Sequence, residues 1–416
     1  LGALFGKLME DSGSVQSVAN SVGAKLGAQR AILAVVLAGA AVTYGGVSLF
    51  VAFFVLAPMA AALFKDVGIP RRLMPGAIAL GSISFTMSAL PGTPAIQNAI
   101  PMPYFQTTPF AAPGIGLIAA AIMLFYGLWW LGLVEARARK AGEGFENGVP
   151  VNGAAEDLEV RERATVSQTF DPPEVHKSEE SKDLPPFWSA FAPLAVVVAV
   201  NLLMTVLILP SMDLGYLAEK RFGPTTPSAV TGIWSVVVAV AASIVALLIL
   251  NGKRLPNLKA SMDAGVNASV LPLVSVASLV GFGSVVAGLP AFEAVKEWVL
   301  GIQGGPLVSL AVSTNILAAL TGSASGGLTI ALEALGPTYM QLAQQLNIDP
   351  GLMHRVAAIG AGTLDVLPHN GAVITLLAVC GCTHKDSYID IAQVAIVGPM
   401  LSLIAIIAIG SAFGSF

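Results

Sequence analysis

Long apolar runs, broken at matched places by glycine, serine, threonine and proline, set the pattern of this chain. A helix needs about 20 apolar residues to cross a bilayer, and five runs qualify: 114–134, 188–210, 228–250, 265–287 and 389–413. Others are interrupted. Residues 31–42 and 47–63 flank Thr43-Tyr44-Gly45-Gly46, and 307–320 and 328–340 flank Thr321-Gly322-Ser323-Ala324-Ser325-Gly326-Gly327. Most of these halves are too short to cross alone, so each pair predicts a re-entrant hairpin whose tip stops inside the membrane. The next element in each case predicts a helix broken at Leu90-Pro91-Gly92-Thr93-Pro94 or at Leu367-Pro368-His369-Asn370-Gly371. Proline removes a backbone donor and glycine loosens the turn; the freed polar backbone must line a protein cavity, because lipid cannot satisfy it.

The interruptions come twice in the same order. Phe5-Gly6, Thr43, Leu73-Met74, Gly81 and Leu90-Pro91 return as Phe282-Gly283, Thr321, Leu352-Met353, Gly360 and Leu367-Pro368, each 277 to 279 residues later. One unit used twice in an apolar chain points to a secondary transporter, with substrate near the matched breaks. The first repeat is expected over 1–134 and the second over 188–416, separated by a charged cytoplasmic linker at 135–187. The first copy begins where the second has already used apolar segments at 228–250 and 265–282. About 45 to 55 further residues, holding two membrane segments, are therefore expected ahead of Leu1.

Composition agrees with the pattern. With 55% hydrophobic residues, 11% charged and a mean hydropathy of +0.78, the chain is polytopic, since a soluble protein carries roughly 25% charged residues. Residues 135–186 hold 19 of the 46 Asp, Glu, Lys and Arg and show no apolar periodicity, which predicts a partly disordered aqueous loop. The net charge of −4 comes largely from this loop and implies no nucleic-acid partner. Cys380 and Cys382, in an apolar run with no further Cys or His cluster, predict packing and no metal site. Lys and Arg favour the cytoplasm: Lys25, Arg30, Lys65, Arg71 and Arg72 flank the first hairpin, whereas 300–306 and 341–351 around the second hold none. The expected fold is therefore an all-α polytopic membrane protein of two inverted-topology repeats, with re-entrant hairpins and broken helices.

An ionisable group deep in a membrane costs roughly 3 kcal/mol or more and is a functional candidate by default. Asp66, Asp213, Glu219, Asp263, Asp349, Asp386 and Asp390 lie at loop or helix ends by the pattern. Glu10 and Asp11 follow Lys7 at i+3 and i+4, which predicts an interfacial ion pair. Glu333 has no partner identifiable from the sequence. Asp365 stands beside the second break with His369 and Asn370, a setting that suits Asp365 or His369 to carrying a proton; the alternative for Asp365 is a cap on the following half-helix. At the hairpin tips Thr43, Ser48, Ser323 and Ser325 offer hydroxyls. Around Tyr44, Gly45, Gly46, Thr321 and Gly322, bared N–H groups at half-helix starts suit a carboxylate. Thr93, Gln97 and Asn98, with His369 and Asn370, complete a candidate site for a polyol or hydroxy acid. Small residues also let helices pack closely, but two tips at matched positions favour a binding site.

At these residues the chain resembles the gluconate permease family (GntP) of proton symporters, within the wider ion-transporter superfamily. Phe5-Gly6-Lys7-Leu8-Met9-Glu10-Asp11-Ser12-Gly13 is similar to that family's early GK-hydrophobic-hydrophobic-x-D-x-G stretch, and Gly322-Ser323-Ala324 to its GSA hairpin tip. The resemblance, which covers almost the whole chain, implies a homodimeric carrier of the bacterial inner membrane. It also implies a transport domain that slides elevator-fashion against a scaffold and imports small hydroxylated monocarboxylates with protons. The breaks read Leu-Pro-Gly-Thr-Pro and Leu-Pro-His-Asn-Gly, closer to a branch placed with short acids such as 3-hydroxybutyrate than to the sugar-acid members. A sodium-coupled carboxylate carrier is the alternative, since hydroxyls and unwound carbonyls can hold Na⁺. An intramembrane enzyme would need a nucleophile and base or clustered ligands; no HExxH or GxSxG pattern occurs. No cofactor is expected; the expected partners are a small carboxylate, protons, membrane lipid and a second copy of the chain.

Overall fold

The computed structural model describes residues 1–145, 184–222 and 225–416, and among these the chain is helical throughout, without strands. Most of the expected linker at 135–187 lies outside the described residues; its first residues, to Lys140, continue a long helix. The first half runs α1 (Gly2–Asp11), α2 (Ser14–Leu26), α3 (Ala31–Tyr44), α4 (Leu49–Val67), α5 (Met74–Ser82), α6 (Phe85–Ser88), α7 (Ile96–Ala99), α8 (Pro101–Phe105) and α9 (Pro113–Lys140). After α10 (Phe187–Leu203, prolonged to Ser211) come α11 (Pro227–Asn251), α12 (Leu258–Ala287), α13 (Pro290–Leu300), α14 (Gly305–Thr321) and α15 (Ala324–Gln345). The second half closes with α16 (Pro350–Ala361), α17 (Gly371–Val379), α18 (His384–Ala392) and α19 (Gly398–Phe413).

Among the described residues five helices are long and apolar enough to cross a membrane: Leu49–Val67, Pro113–Lys140, Phe187–Ser211, Pro227–Arg254 and His384–Phe413. The predicted run 265–287 falls within the single helix α12. At 19 residues α4 can cross by itself, so length alone does not force the first hairpin to turn back as the sequence pattern suggested. The chain leaves the helix over 89–95 and again over 362–370, around the two Leu-Pro pairs.

Packing follows residue size. All of α5 and all but the first residue of α16 are buried. A helix covered on every side is surrounded by protein, and these two lie at matched positions of the two halves. Each packs on its own hairpin, α5 on α3 and α4, α16 on α14 and α15. The matched glycines Gly81 and Gly360 account for the closeness. A side chain at Gly81 would strike the backbone carbonyl of Val36 in α3, and one at Gly360 would come within 2.5 Å of Thr314 Oγ1 in α14. By contrast α9, α10, α11 and α19 turn Phe125, Trp129, Leu207, Ile249 and Ile404 outward, as lipid-facing helices do.

The halves interlock. α8 packs on α15 and α16, and α17 packs on α4. The closing helices of the two halves lie side by side and run in opposite directions: Trp130 Nε1 donates to Asp390 Oδ1 (3.0 Å), Tyr126 OH to Gln393 Oε1 (2.5 Å) and Ser402 Oγ to Ala119 O (3.2 Å). Near the C-terminal end of α9, Arg139 reaches the Val67 carbonyl, and Arg72, just before α5, pairs with Glu143 at 2.9 Å. Near the N-terminal end of α9, Gly114 N donates to Phe416 O (2.7 Å), and Ser415 bonds Asp349, the residue before α16. The matched helices α5 and α16 thus begin at opposite ends of α9.

Gly81→Ala is expected to lower stability in detergent by about 1–3 kcal/mol, because the opposing group is backbone and cannot rotate away. Gly360→Ala should cost less, since the Thr314 hydroxyl can turn. Gly132→Ala, where nothing lies within 4 Å, should be neutral or stabilising by about 0.5–1 kcal/mol. Thermal unfolding of the three variants gives the ranking.

Candidate functional site

A break in a membrane helix leaves carbonyls that no neighbouring turn can satisfy, and here side chains take over. At the first break Tyr44 OH donates to Pro91 O (2.8 Å), Asn201 Nδ2 to Gly92 O (3.0 Å) and Asn98 Nδ2 to Thr93 O (2.9 Å). Arg355 Nη1 donates to Ser88 O just before it (3.0 Å). The Gly92 N–H meets Pro109 O at 2.8 Å, so the loop before α9 folds back over the break. The second break is built alike. Tyr388 OH donates to Val366 O (3.2 Å) and His384 Nε2 to Pro368 O (2.8 Å), while Asn370 Nδ2 reaches Gly322 O on the hairpin tip (2.7 Å). Asn370 Oδ1 also accepts from Ala372 N and Val373 N. It is therefore Asn370 that caps α17, the role the sequence offered to Asp365.

Between the breaks lies a cavity to which both halves contribute. Leu49, Phe50, Ile83, Met87, Ser88 and Gln97 come from the first; Gly322, Ser323, Ala324, Gly362, Asp365, Val366, Asn370, Gly371 and Ala372 come from the second. Asp365, only 8% exposed, is the one ionisable side chain among the described residues of this wall. Gln97 is buried, and its Oε1 has no hydrogen-bond partner among the described residues. Ser323 caps α15 through Gly326 N (3.2 Å) and sits 3.3 Å from Ser325 Oγ.

Of the residues singled out from the sequence, Gln97, Gly322, Ser323, Asp365 and Asn370 line the cavity, and Ser325 stands beside it. The others hold the surrounding frame. Thr43 Oγ1 bonds Gly39 O and Thr86 Oγ1, Thr321 Oγ1 bonds Leu317 O, and Thr93 Oγ1 reaches Tyr44 O. Gly45 lies against Leu194 of α10 and Gly46 against Pro94. Ser48, partly buried, precedes α4 and accepts from Ala52 N through its carbonyl. His369 is exposed, next to Gly322.

Sequence reasoning passed over His354 and Arg355, both fully buried in α16. Arg355 Nη1 also bonds Asn98 Oδ1 (3.1 Å) and Nη2 bonds Ala111 O (2.7 Å); His354 bridges Asn98 Oδ1 (3.1 Å) and Thr107 Oγ1 (2.6 Å). The signal was available: a guanidinium inside an apolar run meets the same criterion that singled out Asp365. Three other residues gain partners. Lys7, 3.2 Å from both Glu10 and Asp11, pairs with them as expected at the end of α1, and all three are buried. Asp390, near the end of α18, is buried between Trp130 and Arg72. Glu333 accepts from Tyr104 OH (2.7 Å) and Ser284 Oγ (3.0 Å), joining α15 to α8 and α12. Among the described residues no group of three or more His, Cys, Asp or Glu is placed to hold a metal ion.

Comparison with known proteins agrees with this architecture. Residues 1–104 match the family model of the GntP family permeases. The uncharacterized transporter YxjC of Bacillus subtilis (strain 168) is 40% identical over 422 residues, an alignment covering 100% of this chain and 85% of that protein. The chain belongs to the GntP permease family and is a multi-pass membrane transporter.

Proposed function

We propose that the protein imports a small hydroxylated monocarboxylate, such as a short hydroxy acid or a gluconate-like sugar acid, by proton symport across the bacterial inner membrane. The observation that carries this reading is the cavity shared by both halves, with Asp365 as its one ionisable wall residue. Two carboxylates confined together cannot both stay ionised without a large penalty. An anionic substrate therefore favours a protonated Asp365, and a protonated Asp365 favours the substrate, which is the thermodynamic requirement for symport. Gln97 and Ser323 offer an amide and a hydroxyl to substrate hydroxyls. His369, exposed beside the tip, suits proton transfer at the mouth. A sodium-coupled carrier is the second reading, because Ser323, Ser325 and the carbonyls of the second break are oxygen donors close together.

The mechanism we favour is an elevator built on two inverted repeats. Support comes from α5 and α16 starting at opposite ends of α9, from the opposed closing helices, and from the interlocked hairpins and breaks that can move as one body. The lipid-facing long helices would form the scaffold, and a second copy of the chain would complete a homodimer.

Asp365→Asn is expected to abolish pH-driven accumulation in proteoliposomes while counterflow exchange persists in part; accumulation equal to wild type would remove Asp365 from the proton path. Replacing NaCl with choline chloride should leave uptake unchanged, and its loss would favour the sodium reading. With Cys380 and Cys382 changed to serine, single cysteines at Asp66 and Asn347, both exposed, should react with impermeant maleimide from opposite faces. Labelling from one face would refute the inverted arrangement.

A further inference from the structure

We infer that Arg355 is the fixed countercharge for the cargo, a positioning residue directly behind the cavity wall that makes the core accept a monoanion together with one proton. The inference rests on the proposed carboxylate–proton symport. Arg355 is fully buried, and its acceptors, the carbonyls of Ser88 and Ala111 and Asn98 Oδ1, are all neutral. No carboxylate of the described residues lies within ion-pair distance.

The neighbouring histidine adds no charge. Asn98 spends its amide hydrogens on Thr93 O and Pro109 O, so its Oδ1 must accept from both Arg355 Nη1 and His354 Nε2. His354 Nδ1 is then left to accept from the Thr107 hydroxyl, and a neutral ring satisfies every bond. One positive charge therefore stands at this junction. It reaches the cavity at two points: Ser88, whose carbonyl it holds, lines the wall, and Gln97, which also lines it, precedes Asn98.

The charge balance follows. Empty, with Asp365 ionised, Arg355 and Asp365 cancel at the cavity. Loaded, with Asp365 protonated, Arg355 faces the monoanion and the charges at the cavity cancel again. A dianion would leave a net negative charge and an uncharged polyol a net positive one. In a low-dielectric core such an imbalance is costly, so the arrangement selects monoanions and lets both the loaded and the empty carrier move independently of membrane potential.

The test uses the full chain in proteoliposomes with labelled 3-hydroxybutyrate under an inward proton gradient. Competition by the unlabelled acid is compared with competition by its uncharged amide, and initial rates are read with potassium and valinomycin potentials of either sign. Wild type should prefer acid to amide by on the order of tenfold, Arg355→Lys should keep that preference, and Arg355→Gln should reduce it to about twofold or less. Wild-type uptake should not respond to potential, and Arg355→Gln uptake should. A wild-type preference retained by a folded Arg355→Gln protein overturns the inference. So does a potential-dependent wild-type rate, a measurement that stands even where the variants fail to fold. Wild type that takes up no hydroxy acid under the gradient overturns the proposed function itself.

Discussion

The interrupted backbone is the constraint on which this structure depends. Lipid offers no hydrogen bonds, so each carbonyl freed at 89–95 and 362–370 requires a donor from the protein. A buried carbonyl without one costs about 1–3 kcal/mol, and several together would exceed what a marginally stable fold can absorb. The donors come from far along the chain: Tyr44 on a hairpin tip, Asn201 on α10, Arg355 on α16 and Tyr388 and His384 on α18. Satisfying the breaks therefore fixes the positions of the hairpins and of α10, α16 and α18. The cavity is what remains between two satisfied breaks.

The same economy governs the buried charges. Lys7 lies between Glu10 and Asp11, and Asp390 has Arg72 and Trp130; these groups have opposite charge beside them and stand off the cavity wall. Asp365 and Arg355 are arranged differently, the first on the wall and the second just behind it. Arg355 meets only neutral acceptors, and a buried ion without an adjacent opposite charge is expensive; under the proposed symport an anionic substrate relieves that expense.

Much of this was legible in the sequence because the duplication marks backbone requirements. Gly81 and Gly360 recur since the short buried helix must approach its hairpin closely in both halves. Leu90-Pro91 and Leu367-Pro368 recur since both helices must end there. Individual side-chain roles were less legible. Thr43, Thr93 and Thr321 have the composition of a binding site, yet their hydroxyls are taken by the frame: Thr43 and Thr321 turn to a carbonyl one turn back, as a buried helical hydroxyl readily does, and Thr93 reaches Tyr44 O. Asn98 and Asn370 have the same chemistry but different duties: Asn98 accepts from His354 and Arg355 of the opposite half, whereas Asn370 caps its own helix at Ala372 and Val373 and reaches back to Gly322 O. Arg355 lies away from both breaks in the sequence, yet its placement in Leu352-Met353-His354-Arg355-Val356 violates the apolar pattern as plainly as Asp365 does.

The two breaks are not equivalent in how they are anchored. The first is held by Tyr44 and Asn98 of its own half together with Asn201 of α10 and Arg355 of the opposite half, and Arg355 and Asn98 cross-brace three segments at once. The second is held by donors from its own half, Tyr388 and His384, and Asn370 joins it to its own tip at Gly322 O. It nevertheless supplies, with that tip, nine of the fifteen residues on the cavity wall, including Asp365. Opening the cavity at the first break would strip a buried guanidinium of its acceptors, at a cost of several kcal/mol, so the first break is a stiff wall of the cavity.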